Sequence, residues 1–157
     1  MAKYHLDEID RKILGYLIEN ARMPFLEIAR ECGISGAAIH QRVRKLEDAG
    51  IIMGSRLLVN AKALGLDVCA YVGVQLSDPD MCESVIEQFK NIPEIVECHF
   101  ITGRNTLLVK LFCTNNEHLM MILVNALQKI KGVSQTETFV SLDQPFAPRE
   151  VSIPCNQ

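Results

Sequence analysis

The sequence predicts an α+β chain in which three short helices precede a β-α-β-β-α-β sandwich. Three observations predict it. Up to residue 50, apolar residues recur at three-and-four spacing between the breakers Pro24, Gly33 and Gly50. From residue 68 onward, VCAYVGVQLS, IVECHFIT and TLLVKLFC read as strands that alternate with helical segments. A faint internal repeat sets Phe89-Lys-Asn-Ile92-Pro-Glu-Ile95 against Leu127-Gln-Lys-Ile130-Lys-Gly-Val133. Each copy is a helix end feeding a strand, as the two pseudo-symmetric halves of a ferredoxin-like sandwich require.

Composition narrows the class. The 157 residues are 48% hydrophobic and 22% charged, close to a globular average, which excludes a disordered or fibrous chain. The longest apolar run, Leu119 to Val124, is far short of the ~18 residues a membrane helix needs. The opening MAKYHLDEIDRK carries both charge signs and no signal-peptide apolar core. The expectation is a soluble, cytoplasmic chain without a membrane partner. The six cysteines form no C-x-x-C pair and read as reduced, buried small hydrophobes. Nucleotide-binding, hydrolase and zincin motifs are missing, so no catalytic residue, metal site or cofactor is assigned, and the chain reads as a non-enzyme. Net charge is −3, yet residues 1–56 hold nine Lys and Arg against eight Asp and Glu. The remainder holds seven against eleven. An acidic chain still binds DNA when its cations sit on one element.

The first helix runs from Leu6 to Asn20, with Leu6, Ile9, Ile13, Leu14, Leu17 and Ile18 on one face and Asp7 and Asp10 in the first turn. Pro24 opens a second helix, Phe25 to Cys32, which Gly33 caps. Ser35 N-caps a third, which runs to about Ala49 and stops at Gly50. Two helices joined by a tight Gly-containing turn make a helix-turn-helix.

At 100° per residue the third helix buries Ile39, Val43 and Leu46. Its outer surface starts with small residues, Gly36, Ala37 and Ala38 behind Ser35, and continues with His40, Gln41, Arg44 and Lys45. Small residues let a helix N-terminus approach the floor of the major groove, and Gln and Arg offer bidentate contacts to adenine and guanine. These eight residues are the candidate DNA contacts. The bland alternative is that Arg42, Arg44 and Lys45 form a solvated helix face. The β-branched stretch from Ile51 to Asn60, broken by Gly54, predicts a wing-like hairpin. Arg56 there serves either a phosphate or the solubility of a strand edge.

Residues 61–67 read as a linker with Gly65 as its flexible point. Beyond it come a strand over Val68–Ser77, a helix over Pro79–Phe89, strands over Ile95–Thr102 and Thr106–Cys113, a helix over Glu117–Ile130 and a strand over Gln135–Leu142. Both helices cover one face of the sheet. The other is left with Tyr71, Glu97, His99, Lys110 and Phe112, a mixed surface suited to a second copy of the chain.

In this order and spacing, several segments resemble the Lrp/AsnC (feast/famine) family of prokaryotic transcription regulators over nearly the whole chain. They are LDEIDRKIL from Leu6 to Leu14, Asn20-Ala21-Arg22, RVRKLEDAGII from Arg42 to Ile52, Glu97-Cys98-His99, Thr102-Gly103 and Thr136-Glu137-Thr138. The resemblance implies a winged helix-turn-helix over residues 1–60 and a ferredoxin-like (RAM, AsnC-type) effector-binding and oligomerisation domain over 68–157. It further implies binding of double-stranded DNA and homodimers that assemble to octamers. A small amino-acid effector would sit between neighbouring subunits, against Thr102, Gly103, Arg104, Asn105 and Thr106 of one turn together with Thr136 and Thr138.

One departure bears on the effector. Leucine-responsive members often carry an acidic Gly-Asp-aromatic-Asp turn, whereas here it reads Gly103-Arg104-Asn105-Thr106. The neutral hydroxyl at the last position is similar to the asparagine-responsive branch, as is Ala49-Gly-Ile-Ile-Met-Gly-Ser-Arg56; Arg104 and Asn105 fit neither branch. Gly103 permits close backbone approach, a guanidinium pairs with a carboxylate, and threonine hydroxyls receive an ammonium or amide group. An asparagine-like ligand is expected, and a cationic one disfavoured. The plainer alternative is a hairpin tip beside β-forming threonines. The sequence thus reads as a DNA-binding regulator modulated by an amino-acid-type effector, with a metabolite-sensing oligomer lacking a specific DNA target as the alternative.

Overall fold

The computed structural model describes residues 4–148 and 151–153. The chain divides into two compact units, Met1–Leu58 with Ala147–Gln157, and Val59–Phe146.

The first unit holds α1 (Glu8–Glu19), α2 (Phe25–Cys32) and α3 (Gly36–Asp48). Each boundary has a local cause. Asp7 caps α1 by accepting from the Asp10 backbone, while the Asp10 carboxylate accepts from the Asp7 N–H, a reciprocal capping box. Gly33 ends α2 at φ +66°, donating to the carbonyls of Ala29 and Arg30. The Ser35 hydroxyl accepts from Ala38 N–H at 3.2 Å and opens α3. Ile13, Ile28, Ile39 and Leu46 are fully buried between the three helices, and Ile153 from the far end of the chain packs on the same core. The sequence reading carries the second domain through residue 157, whereas the described residues beyond Phe146 (147–148 and 151–153) group with the first unit.

The hairpin expected over residues 51–60 is not formed: no described residue there is in a strand. Ile51 and Ile52 donate to the Leu46 carbonyl, finishing the end of α3, and beyond them residues 53–60 form neither helix nor strand. Met53, Leu57 and Leu58 are 95%, 70% and 78% exposed, so the β-branched composition has no cross-strand surface to pack against. The segment expected to be pure linker includes one 3₁₀ turn, Lys62–Leu64, closed by Gly65.

The second unit is built from β1 (Val68–Leu76), α4 (Cys82–Phe89), β2 (Ile95–Phe100), β3 (Leu107–Cys113), α5 (Asn116–Met121) and β4 (Val133–Ser141). The sheet order is β2-β3-β1-β4 with every pair antiparallel, the β-α-β-β-α-β sandwich that the sequence predicts. Ala70, Val72 and Val74 of β1 and Leu107, Val109, Leu111 and Cys113 of β3 face the helices and bury Val85, Phe89, Leu119, Leu127 and Ile130. The internal repeat is visible in the hydrogen bonds. Ile92 donates to Phe89 and Ile95 to Ile92, just as Ile130 donates to Leu127 and Val133 to Ile130.

The second helix departs from expectation. After α5 the chain makes a π turn, Ile122–Ala126, and a 3₁₀ turn, Leu127–Lys129. Two turns of an ideal α-helix from Leu119 would carry residue 127 roughly 80° off the buried face. The wider turn takes up that offset, and Leu119 and Leu127 are both buried.

The opposite sheet face carries a row in register: Glu97 faces Lys110, Lys110 faces Tyr71, and Tyr71 faces Phe139. Lys110 Nζ lies 3.4 Å from Glu97 Oε1 and 5.8 and 5.5 Å from the rings of Tyr71 and Phe112. Burial opposes its charge, but Glu97 outweighs it and the Lys110 pKa is raised. Phe139 stands 53% exposed on this face. The cysteine reading is corrected: among the described residues Cys113 is buried, with its thiol pKa pushed up by desolvation, whereas Cys32, Cys69 and Cys82 are half-buried and Cys98 is exposed; Cys155 lies outside the described residues.

Candidate nucleic-acid interface and effector site

The wheel drawn for the third helix is realised in α3. Ile39, Val43 and Leu46 are buried; Ser35, Ala37, His40, Gln41, Arg44 and Lys45 are exposed; Gly36 and Ala38 are half-buried. A Cβ at Gly36 would lie 3.1 Å from Leu26 Cδ2, so a small residue there lets α3 begin close against α2. The His40 ring meets Phe25 edge-on at 4.9 Å and 71°, which fixes its direction on the outer surface. Among the described residues, no carboxylate pairs with Arg44 or Lys45, so both cations are available to an anion.

Arg42 does not belong to the solvated face. Its Nη1 donates to Asp7 Oδ2 at 2.6 Å and to Asp10 Oδ1 at 2.7 Å. Asp10 is 1% exposed, and its second oxygen accepts from the Tyr4 hydroxyl and the Asp7 N–H, each at 3.3 Å. Burial would raise the Asp7 pKa, but the Asp10 backbone N–H and Arg42 outweigh it and the pKa is lowered. The two carboxylates in turn raise that of Arg42. An open groove of about 600 Å³ runs beside this cluster, lined by Tyr4, His5, Ala38, Gln41 and Lys45 as well as the charged trio. Sequence reasoning missed the pairing because its partners stand 32 and 35 residues apart on different helices.

The candidate effector residues fall into two groups. Ile101 donates to the Thr106 carbonyl and Thr106 to the Val74 carbonyl, so the turn between β2 and β3 is closed and pinned to β1. Thr102, Gly103 and Arg104 are exposed on it, and Asn105 and Thr106 are half-buried. Gly103 takes φ +111°, a conformation that favours glycine. Asn105 lies across Gly73, where a Cβ would collide with its amide, and its Nδ2 donates to Glu137 Oε2 at 3.3 Å. The Asn105 Oδ1 atom is buried without a hydrogen-bond partner.

Thr136 and Thr138 lie opposite Val74 and Val72, on the helix-covered face. Thr136 Oγ1 accepts from Gln128 Nε2 at 3.0 Å beside a shallow cavity of about 300 Å³ lined by Gln128, Val133, Ser134, Gln135 and Thr136. Within one subunit the turn and the threonines therefore do not meet. Glu137, between them in sequence, reaches the turn instead. The turn has no carboxylate of its own, but Glu137 brings one to it, and only the pairing of Gly73 with Glu137 reveals this. Among the described residues, no group of three His, Cys, Asp or Glu could hold a metal, and no helix is long and apolar enough to cross a membrane.

Comparison with known proteins finds the same two parts in a known family. Residues 6–53 match a family of winged helix-turn-helix DNA-binding domains, and residues 69–151 match the Lrp/AsnC ligand binding domain. The chain is 35% identical over 146 residues to the regulatory protein AsnC of Escherichia coli K12, covering 93% of this chain and 96% of that protein. The solved structure of E. coli AsnC superposes with a TM-score of 0.85 at 34% identity, covering 92% and 97% of the two chains. A transcriptional regulator of Neisseria meningitidis, solved as an L-Met complex, superposes with a TM-score of 0.84 at 26% identity, covering 91% and 94%.

Proposed function

The chain belongs to the Lrp/AsnC family of transcriptional regulators, DNA-binding proteins with an amino-acid-binding domain, and from that premise we propose which residues do the work. Gln41 and Arg44 read base edges in the major groove, with Ser35, Gly36, Ala37 and Ala38 at the approach and His40 and Lys45 toward the phosphates. The observation that carries this is the outer surface of α3: two cations without a partner carboxylate among the described residues, on the side opposite the buried Ile39, Val43 and Leu46. The function is binding rather than catalysis, carried out in the cytoplasm.

The effector is a small polar amino acid, asparagine-like, seated where the Thr102–Thr106 turn of one subunit meets Thr136 and Thr138 of its neighbour. The separation of these two groups within one subunit is the reason for placing the site between copies. Turn amides and Arg104 receive the ligand carboxylate, and Glu137 with the threonine hydroxyls receives its ammonium. The Neisseria relative holding L-Met supports the amino-acid class. The sheet face around Tyr71, Lys110 and Phe139 pairs two subunits, and such dimers assemble to octamers. Selection of binding sites from a randomised duplex pool by the full-length protein tests the reading. A recurring sequence bound with a steep salt dependence is expected. Uniform affinity across the pool would overturn it.

A further inference from the structure

We propose that Arg42 is a positioning residue for DNA reading: its guanidinium ties α3 to the start of α1, and this tie sets the direction in which Gln41 and Arg44 meet base edges. The inference rests on the reading of α3 given above.

Two kinds of contact hold α3 to α1. The apolar one, through Ile13, Ile39 and Leu46, is non-directional and tolerates sliding and rotation. The polar one does not. A single Nη1 shares its hydrogens between Asp7 at 2.6 Å and Asp10 at 2.7 Å. Asp10 is buried, and its other oxygen is held by Tyr4 and the Asp7 N–H. Both acids also fix the α1 terminus through the capping box. A displacement of α3 by even an ångström breaks several of these bonds together and leaves a buried carboxylate uncompensated.

Arg42 sits one residue from Gln41 and two from Arg44, so this restraint acts at the centre of the reading surface. Recognition groups must be held within about 0.5 Å of productive geometry. The two carboxylates neutralise Arg42, and this sets it apart from Arg44 and Lys45, which have no partner carboxylate among the described residues. Its removal should therefore change discrimination among sequences and leave the salt dependence alone.

The test compares affinities of the full-length protein for the duplex it selects from a random pool and for a scrambled duplex of equal length, across a salt series. Arg42→Lys keeps the charge and loses the shared Nη1. Asp7→Asn keeps the N-cap through its amide oxygen and removes one of the two bonds, because the amide nitrogen that replaces Oδ2 cannot accept from Arg42, and it serves as the variant least prone to unfold. Circular dichroism confirms folding at the assay temperature. The selected-to-scrambled ratio should fall roughly tenfold in Arg42→Lys, the size of one lost base contact, and less in Asp7→Asn, with an unchanged salt slope. An unchanged ratio in folded variants overturns the proposal, as does a slope reduced by about one, which would make Arg42 a phosphate contact. If Arg42→Lys does not fold, an unchanged ratio in Asp7→Asn suffices to overturn it. Failure of the wild type to select any sequence would instead defeat the reading of α3, and this inference with it.

Discussion

Arg42 on α3 and Asp10 on α1 meet at 2.7 Å across the helix-turn-helix, and Asp10 is the one charged residue buried in that unit among the described residues. Breaking such a pair from one side leaves an unpaired buried charge. Arg42→Ala should cost the N-terminal unit about 3–5 kcal/mol. Asp7→Asn should cost no more than about 1 kcal/mol, because Asp7 is 48% exposed and asparagine still caps the helix. Urea unfolding followed by the helical circular dichroism signal separates the two.

Acid should find the same cluster. The Asp7 pKa is lowered from its ordinary value near 3.8, in spite of burial, by the Asp10 N–H and Arg42. A carboxyl depressed in the folded state stabilises fully above its unfolded value, and that stability is lost as pH falls through the folded one. The contribution of Asp7 is therefore intact at neutral pH and fades only below about 3.8. The difference in stability between wild type and Asp7→Asn should shrink on acidification through that range. A difference that stays constant with pH would contradict the ion pair.

Gly73 and Asn105 make a notch that joins the turn to β4. Gly73→Ala places a Cβ against the Asn105 amide, displaces the turn from Glu137 and should weaken asparagine binding at least several-fold by calorimetric titration. Gly73→Ala combined with Asn105→Ala removes the clash and should recover stability relative to Gly73→Ala alone, by about 1–3 kcal/mol. Absence of any coupling between the two changes would mean the notch does not hold the turn.

The open sheet face predicts self-association. Phe139→Glu puts a carboxylate in the row of Glu97, Lys110 and Tyr71, where Phe139 is half exposed. Light scattering should show the wild type as a dimer or larger and the variant shifted to smaller species. An identical mass for both would place the interface elsewhere.

The helical third of the chain was legible because its signals are local. Asp7, Gly33 and Ser35 act within a turn of their own position, and Ile39, Val43 and Leu46 share a face by periodicity alone. The order of strands and helices followed from the same kind of signal, and the repeat ending in Ile95 and Val133 reinforced it. What failed was non-local. Residues 51–60 have hairpin composition, but a strand needs a pairing partner, which composition cannot supply. The π turn after Met121 reflects the need to bring Leu127 under the sheet, a demand set by packing. The meeting of Asn105 with Glu137 depends on the register across β1, and the Arg42 pairing on how α3 crosses α1.

The claim that α3 reads sequence is tested most directly by repeating the duplex selection with Arg44→Ala and Lys45→Ala beside the wild type. Arg44→Ala should relax the selected sequence at one position in each half-site, at a cost of roughly 1–3 kcal/mol. Lys45→Ala should keep the sequence and lower the salt slope by about one. The same sequence recovered with unchanged preference by Arg44→Ala would contradict the account.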